Sequence, residues 1–491
     1  MSEYKHGAYA PVDESAAKAA GKSQNAIIYV GTAPVNTVAG GAKNVNVPIA
    51  VSDITEAKRY FGYSDDYAGF TLCEAMYVHF EHKEVGPLVL INVFDPAVHK
   101  SETKGDISLT PENGRITIPD AESIILDSVV VASKEKGKDY TIIYNSIRKT
   151  IIITETTLGA LGAAAVKITY ETVDASKVSA ADVIGASDGL GLNTGLYAVK
   201  NVYQLTGYIP KYLACPGFSS IPEVHRAMEE NSVNVNKHWG VYMFVDLPII
   251  DGEEPVTIDA AEAFKKTHGY TYENETVYYP LVQGVDGRKY HLSVLAAANF
   301  QKLLIENDGI PYMTASNTEC PLIEGIYLGE AYKNRIYDDS IINDRLNKNG
   351  IASAAYTGGR WAIMGAHSAD YNQDSATQIN VAETNRMMLY YVSNDFQHRR
   401  APAVDKPMSV NDLQSIRAQE QERLDALVKI GALVYGKVRL DMTTDARSDI
   451  VNGDWSFTFE VTATPLAKSL TANVKWTDKG FETYFASLGD Q

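Results

Sequence analysis

One string of the sequence carries a residue of the type that acts as a nucleophile. Residues 185–189, Gly-Ala-Ser-Asp-Gly, match the G-x-S-x-G pattern of serine hydrolases. In those enzymes the serine sits on a sharp turn that follows an apolar strand and opens a helix. Here residues 178–184 are polar and alanine-rich, and the following glycines lack the spacing of a dinucleotide-binding loop. We therefore expect Ser187 to lie in an ordinary loop.

Histidine and cysteine residues offer two further candidate sites, and neither has a supporting pattern. His79 and His82 are three residues apart on a predicted helix, so they could share a face and a metal. No His-Glu-x-x-His string or cysteine pair accompanies them. Cys215 would act as a nucleophile only if a histidine reached it, and a buried cysteine at a strand end is commoner. The sequence predicts no catalytic residue, no metal site and no cofactor, while a triad dispersed along the chain stays open.

The composition argues against several classes of partner. The 44 basic and 61 acidic residues give a net charge of −17, which disfavours wrapping of nucleic acid. The three cysteines are far apart, which predicts no disulfide framework and folding in a reducing compartment. The first residues lack an apolar signal core, and no stretch approaches about 18 apolar residues. We expect synthesis in a cytoplasm and no direct insertion into a membrane.

The hydrophobic pattern divides the 491 residues into five segments. Residues 1–22 form an extended N-terminal arm with little core of its own. Strands and helices alternate in residues 23–96 and again in residues 181–365, which predicts α/β structure in both. Residues 97–180 contain short strands separated by turns, which predicts an inserted small β-barrel or sandwich. Residues 366–491 combine long helices with closing strands.

The predicted elements are specific enough to be compared with a structure. Buried strands are expected at 26–31, 87–93, 212–217 and 240–246, and helices at 54 onward, 70–80, 195–205, 221–231, 381–396 and 411–430. The helix at 411–430 is charged on much of its surface. The strand at 455–461 alternates apolar and polar residues, and a last strand is expected at 470–476.

Three blocks stand out by their order and spacing. The first runs from a Gly-rich turn at 183–196, with a Thr-Gly-Leu helix start, to a strand ending in Ala-Cys-Pro-Gly at 214–217. The second is the apolar stretch 350–365, and the third is 386–396 with the charged helix and strands that follow. These blocks resemble the tail sheath proteins of contractile phages and of phage-tail-like bacteriocins such as R-type pyocins and diffocins. The resemblance spans nearly the whole chain, although Cys215 separates the Ala and Pro of the family pattern.

The resemblance implies an architecture and a role. The architecture is a sheath core built from N- and C-terminal segments, a subtilisin-like α/β middle domain without a catalytic triad, and the inserted β domain. The role is that of a structural subunit, and not an enzyme, that polymerises as a helical tube around an inner tail tube. Contraction from a metastable extended state would drive that tube through a target cell envelope. The implied partners are other copies in a stack of hexameric rings, the tube protein, and baseplate and terminator proteins, with assembly in the bacterial cytoplasm and a final place in a virion tail or released particle.

The resemblance also implies three sets of working residues. The inter-subunit arm would include Tyr4, Tyr9 and Val12. A strand that joins a neighbour's sheet is expected at 455–461, with Trp455, Phe457, Phe459 and Val461 on one face, or at 470–476. The charged helix would face the tube through Arg417, Glu420, Arg423 and Lys429. A disordered arm, an ordinary hairpin and a solvated helix face are the alternatives for these three sets.

Two other classes of protein compete with this interpretation. An α/β hydrolase with a dispersed triad predicts esterase or peptidase activity that depends on a residue such as Ser187. Another self-assembling protein, such as a surface-layer subunit, would need export, for which the sequence carries no signal core.

Overall fold

The computed structural model describes residues 24–249, 257–441, 450–451 and 453–489. The strands in this part of the chain are β1 (Ile27–Gly31), β2 (Ile49–Val51), β3 (Leu88–Asn92), β4 (Lys100–Leu109), β5 (Arg115–Ile118), β6 (Val130–Val131), β7 (Tyr140–Asn145), β8 (Thr150–Glu155), β9 (Val166–Val173), β10 (Tyr212–Ala214), β11 (Tyr242–Asp246), β12 (Glu275–Tyr278), β13 (Leu281–Gly284), β14 (Lys289–Tyr290), β15 (Thr318–Glu319), β16 (Ile323–Tyr327), β17 (Ile351–Thr357), β18 (Arg360–Met364), β19 (Leu433–Leu440) and β20 (Phe457–Ala463). The α-helices are α1 (Ile54–Phe61), α2 (Thr71–Met76), α3 (Ala180–Ile184), α4 (Val202–Thr206), α5 (Pro222–Glu230), α6 (Ile258–His268), α7 (Leu292–Glu306), α8 (Glu383–Arg400), α9 (Val410–Lys429) and α10 (Gly480–Gly489).

A nine-stranded sheet organises most of the molecule. Its order is β15-β18-β17-β12-β11-β10-β1-β3-β2, and the central strands from β17 to β3 run parallel. Strands β1, β3, β11 and β12 are buried along their whole length. Such continuous burial is typical of a parallel sheet covered on both faces, and it explains why these strands are apolar runs without alternation.

The central sheet joins two stretches that the sequence pattern placed in different segments. Strands β1 and β3 come from residues 23–96, whereas β10, β11 and β12 come from residues 181–365. One continuous hydrophobic core covers both stretches. This corrects the expectation that residues 23–96 form a core with the C-terminal segment. A parallel strand pairing between distant segments leaves no local mark in the sequence, so the pattern could not reveal it.

Residues 100–173 form two three-stranded antiparallel sheets, β4-β9-β6 and β5-β8-β7. The sheets share a separate core that includes Ile116, Tyr140, Ile153 and Ile168. The chain enters this module through β4 and leaves it through β9, and the two strands pair with each other. Strand β4 was not expected from the sequence, because its polar residues give no hydrophobic alternation.

The C-terminal part consists of α8, α9 and a two-stranded antiparallel ribbon made by β19 and β20. Helix α9 starts with a capping box, in which Ser409 and Asp412 bond each other's backbone amides. Leu424 and Leu427 of α9 pack with Met388 of α8 and Val438 of β19 in a small core. At Gly436 a Cβ atom would lie 2.8 Å from the Cβ of Leu424, so only glycine lets α9 approach the ribbon this closely.

Several predicted helices and strands begin, end or are built differently in the structure. The predicted helix at 195–205 begins as a 3₁₀ helix, Gly195–Asn201, before α4, and the helix at 70–80 ends in a π-helical segment, Tyr77–His82. The predicted strand at 455–461 begins only at Phe457. The predicted strand at 470–476 forms no strand in the single chain. No helix in the described ranges is long and apolar enough to cross a membrane.

Candidate assembly interface

The chain after β20 leaves the body of the protein as an exposed arm. Residues 467–487, called the C-terminal arm below, are all exposed. The root of the arm is held by Lys468, whose Nζ donates to Tyr371 Oη at 2.7 Å and lies 5.0 Å from the centre of the Tyr371 ring. The Tyr371 ring in turn stacks on His367 at 3.7 Å. Beyond this anchor the arm forms no regular secondary structure until α10 begins.

The arm carries apolar side chains that the described part of the chain leaves exposed. Leu470, Val474 and Trp476 are 91%, 92% and 81% exposed. They alternate with Thr471, Asn473 and Lys475, which is the period of a strand with one buried face. In α10, the exposed rings of Phe481, Tyr484 and Phe485 follow helical spacing on one face. A contiguous apolar surface of this kind marks a site of association.

The ribbon places its aromatic side chains against its own subunit. The Phe396 ring of α8 lies 6.0 Å from the Phe457 ring and 5.2 Å from the Phe459 ring, centre to centre. Val461 packs against the same small core. Trp455 precedes the strand. Within the single chain, residues 457–463 pair with β19, and the role of 455–461 as a strand that joins a neighbour's sheet stays a prediction.

Some of the charged side chains of helix α9 that the sequence pattern placed on its outer surface are buried or paired with α8. The Glu420 side chain is only 2% exposed. Its carboxylate receives two hydrogen bonds from Arg399, at 2.8 and 2.9 Å, and others from Arg400. Arg423 is paired with Asp395 of α8. Glu420 therefore does not lie on an outer face, which corrects the expectation for this residue, whereas Arg417 and Lys429 are exposed.

The other predicted site residues are found in three places. Tyr4, Tyr9 and Val12 lie outside the described residues. Ser187 lies in an exposed loop closed by a bridge to Asn193, and the element before it is the helix α3 instead of a strand. The loop position of Ser187 is as the sequence predicted.

His79 and Cys215, which the sequence offers as candidate reactive residues, are buried in the protein. His79 Nε2 bonds Tyr29 Oη at 2.8 Å, and its Nδ1 bonds Gln301 Oε1 at 2.7 Å. Burial lowers the pKa of His79 to about 4. Burial also raises the pKa of the Cys215 thiol. Within the described ranges, no group of three or more metal-binding side chains occurs.

Sequence reasoning missed a buried charge cluster next to the carboxyl ends of the central strands. His291, at the start of α7, donates from its backbone to Glu74 Oε1 at 2.6 Å, and its Nδ1 lies 2.7 Å from Glu74 Oε2. Ser293 donates to Asp246, which ends β11. Burial alone would lower the pKa of His291, but the charges of Glu74 and Asp246 outweigh it and raise this pKa to about 9. These residues are far apart in sequence, so no spacing rule indicates them.

The His291–Glu74 pair predicts a pH-dependent stability. The pKa of His291 is higher in the folded chain than its ordinary value of 6.5, so the folded state binds the proton more tightly. Its contribution is fully present below pH 6.5 and disappears as the pH rises through about 9, with a size on the order of 3 kcal/mol. Denaturant unfolding at several pH values measures this loss. In Glu74→Gln the loss should be much smaller, and an identical loss in this variant would contradict the assignment.

The comparisons with known proteins agree with this geometry. No family model matches the chain. A tail sheath protein of Burkholderia phage BcepMu is 25% identical over 496 residues, which cover 97% of this chain and 98% of that protein. The major tail sheath protein of Serratia phage KSP20 is 21% identical over 320 residues, or 65% of this chain and 76% of that protein. Both of these relatives are tail sheath proteins, and the first aligns with this chain over nearly its whole length.

Two solved structures share the fold of this chain. A chain of the anti-feeding prophage baseplate has a TM-score of 0.54 and 14% identity, and covers 97% of this chain and 100% of its own length. A chain of the contracted PVC sheath complex, from an extracellular contractile injection system, has a TM-score of 0.54 and 11% identity, with 98% and 99% covered. The likeness covers nearly the whole chain and shows a shared mixed α/β fold.

Proposed function

We propose that this chain is the structural subunit of a contractile sheath. Copies polymerise as a helical tube around an inner tail tube, and contraction from a metastable extended state drives that tube through a target cell envelope. The observation that carries the proposal is the C-terminal arm, an exposed apolar segment beside a two-stranded ribbon, in a chain that aligns over nearly its whole length with a named tail sheath protein. We expect the exposed apolar side chains of this arm to be buried against another subunit.

The arm links copies by adding a strand to a neighbour's ribbon. An extended segment that pairs with a sheet edge gains main-chain hydrogen bonds, and alternate side chains fix its register. The segment 470–476 suits this role better than 455–461, since it is unpaired and its apolar face is exposed. Because each copy gives one arm and accepts another, the contacts are heterologous and produce an open helical assembly. The N-terminal residues Tyr4, Tyr9 and Val12 are proposed to form a second link.

The remaining features of the sheath follow from the same proposal. The nine-stranded, mostly parallel sheet is assigned to a subtilisin-like middle domain, and residues 100–173 to the inserted β domain. The position of Ser187 in an exposed loop after a helix supports a role without proteolysis. The partners are other copies in stacked hexameric rings, the tube protein, and baseplate and terminator proteins. Assembly takes place in the bacterial cytoplasm, and the product is a virion tail or a released particle.

Helix α9 is proposed to contact the tube through Arg417 and Lys429. Exposed ion pairs contribute only about 0–1 kcal/mol each, so such contacts can be released together on contraction. The double variant Arg417→Glu, Lys429→Glu should leave the free energy of unfolding within about 0.5 kcal/mol of wild type. It should reduce co-sedimentation of the sheath with preformed tubes, since it replaces two positive charges with negative ones.

The control for this variant makes the same change of charge elsewhere. Lys43 and Arg148 are exposed and lie far from α9 in the sequence, so Lys43→Glu with Arg148→Glu should leave tube binding unchanged. Normal tube binding by the α9 variant would contradict the assignment of this helix. Equal losses in both variants would show that only net charge matters.

The experiment for the proposed function is electron microscopy of the purified chain, with and without inner tube protein. Tubes with helical striations are the expected result, formed either alone or around the tube. Monodisperse subunits at high concentration, in the presence of tubes, would contradict the proposal.

A further inference from the structure

The C-terminal arm is attached to the body through a stack of three side chains, His367, Tyr371 and Lys468, called the root stack below. The His367 and Tyr371 rings are nearly parallel, with 11° between their planes and 3.7 Å between their centres. Lys468 Nζ donates to Tyr371 Oη at 2.7 Å and lies 5.0 Å from the centre of the same ring. Within the described ranges, no other hydrogen bond joins residues 467–487 to the body. The direction in which the arm leaves the body therefore depends on this stack.

The two rings of the root stack are buried and bonded to the body. His367 Nδ1 donates to Val381 O at 2.5 Å, because a carbonyl oxygen can only accept. Ala369, which lies between the two ring-bearing residues in the sequence, donates from its backbone to Glu275 O of β12 at 2.8 Å. Lys468 is thus connected through the two rings to the central sheet.

The tautomer of His367 makes Nε2 the atom that takes up a proton, since Nδ1 already carries the hydrogen that bonds Val381 O. A proton on Nε2 places a second cation against the ring that Lys468 already contacts. Burial lowers the pKa of His367, the bond to Val381 O opposes this, and the charge of Lys468 lowers the pKa further. At neutral pH the His367 ring is therefore neutral, and Lys468 is the one cation of the root stack.

Other charged side chains lie on the segments packed around the root stack. They are Asp370 of the same segment, Lys265 of α6, Glu275 of β12 and Glu383 of α8. Each of the three carboxylates is engaged by hydrogen bonds with other side chains, and Lys265 Nζ donates to Ala369 O at 2.6 Å. In the described part of the chain no carboxylate pairs with His367, so none offsets a charge on its ring.

We propose that the root stack is a proton-sensitive latch, which holds the root of the C-terminal arm on the body while His367 is neutral and releases it when His367 is protonated. The proposal rests on the proposed function only in that the arm is the segment that links copies. A latched arm leaves the body in one direction, so less conformational freedom is lost when a neighbour binds it. Because the latched state binds the proton of His367 less tightly than the released state, the latch is closed above pH 6.5, the ordinary pKa of histidine. It opens as the pH falls through the lowered pKa.

Distance measurements between two spin labels on the full-length free subunit test the latch. One label is attached at Thr471→Cys in the arm and the other at Glu223→Cys in α5, both at exposed positions, while the three native cysteines are buried. The subunit is kept below the concentration at which it assembles, so the result does not depend on polymerisation. We expect a narrow distribution of distances at about pH 7.5, and a broad one as the pH falls to about 5.

Three substitutions in the labelled subunit separate the latch from other effects of pH. His367→Asn keeps a donor for Val381 O but has no ring that titrates, so its distribution should stay narrow over the same range of pH. Lys468→Met removes the cation and should reduce the ratio of latched to released arms about tenfold at neutral pH, the combined effect of one cation–π contact and one hydrogen bond. The control Lys475→Met, at an exposed lysine further along the arm, should behave as the wild type does.

Titration of the His367 ring, followed by NMR, is an independent measurement. Lys468→Met should raise the pKa of His367, whereas Lys475→Met should leave it unchanged. Lys468 is exposed, so this comparison tests the latch even where His367→Asn impairs folding. A wild-type distribution that does not change with pH, an equal change in His367→Asn, or no difference between Lys468→Met and the wild type would overturn the latch. The proposed function is tested separately, by microscopy of the assembled tubes.

Discussion

Deletion of residues 469–491 should strongly weaken polymerisation and leave the subunit folded. The deleted segment makes few contacts with its own chain, since residues 469–487 are exposed throughout and the anchor at Lys468 is retained. In the assembly, burial of Leu470, Val474 and Trp476 is worth about 1.5–3 kcal/mol for each side chain. Loss of the three therefore raises the concentration for half-maximal assembly by at least about a hundredfold. Sedimentation of assembled tubes at a series of subunit concentrations measures this shift.

The control keeps the length of the arm and changes only its apolar face. Leu470→Ser, Val474→Ser and Trp476→Ser together should impair assembly nearly as much as the deletion. Serine at Thr471, Asn473 and Lys475, on the outward face, should have a small effect. Both variants should retain the wild-type free energy of unfolding within about 0.5 kcal/mol, because surface substitutions rarely cost more. Tubes of normal length from the deleted chain would refute the role of the arm.

Replacement of Glu420 with alanine should be the most destabilising change in the C-terminal part. The Glu420 carboxylate is buried and bonds both Arg399 and Arg400, which belong to α8. Its removal leaves two partly buried guanidinium groups without their main partner. Breaking a buried ion pair from one side costs about 3–5 kcal/mol. Hydrogen exchange of the α8 and α9 backbone amides, together with denaturant unfolding, measures the loss.

Glu422, two residues further along α9, is the matched control for Glu420. Its side chain is exposed, so Glu422→Ala should change the free energy of unfolding by less than about 0.5 kcal/mol. Equal effects of the two substitutions would show that the bonds between α8 and α9 do not stabilise this part. A large loss confined to Glu420→Ala would show that the bonds of Glu420 to Arg399 and Arg400 stabilise the packing of α9 on α8.

Sequence patterns predicted the buried strands of the central sheet well. Strands β1, β3, β10 and β11 lie within or close to the expected ranges, because each is an apolar run bounded by glycine, proline or a charged residue. The long helices α8 and α9 were also expected, although α8 begins later and continues through Arg400. In all these cases the signal is local, since it depends on the burial of a short segment.

Features that depend on distant pairings were not predictable in the same way. Glu420 was grouped with the exposed charges of α9, because the partners that bury it lie on another helix. The segment 470–476 has the alternation of a strand, yet it pairs with no strand among the described residues. We propose that this alternation reflects pairing with another subunit, because its apolar side chains are exposed here.

A helical reconstruction of the assembled tube by electron cryo-microscopy would show directly whether the C-terminal arm joins another subunit. We expect residues 470–476 of each subunit to lie against the β19–β20 ribbon of a different subunit, as an added strand. Tubes in which this segment folds back on its own subunit, or makes no contact with any ribbon, would contradict it.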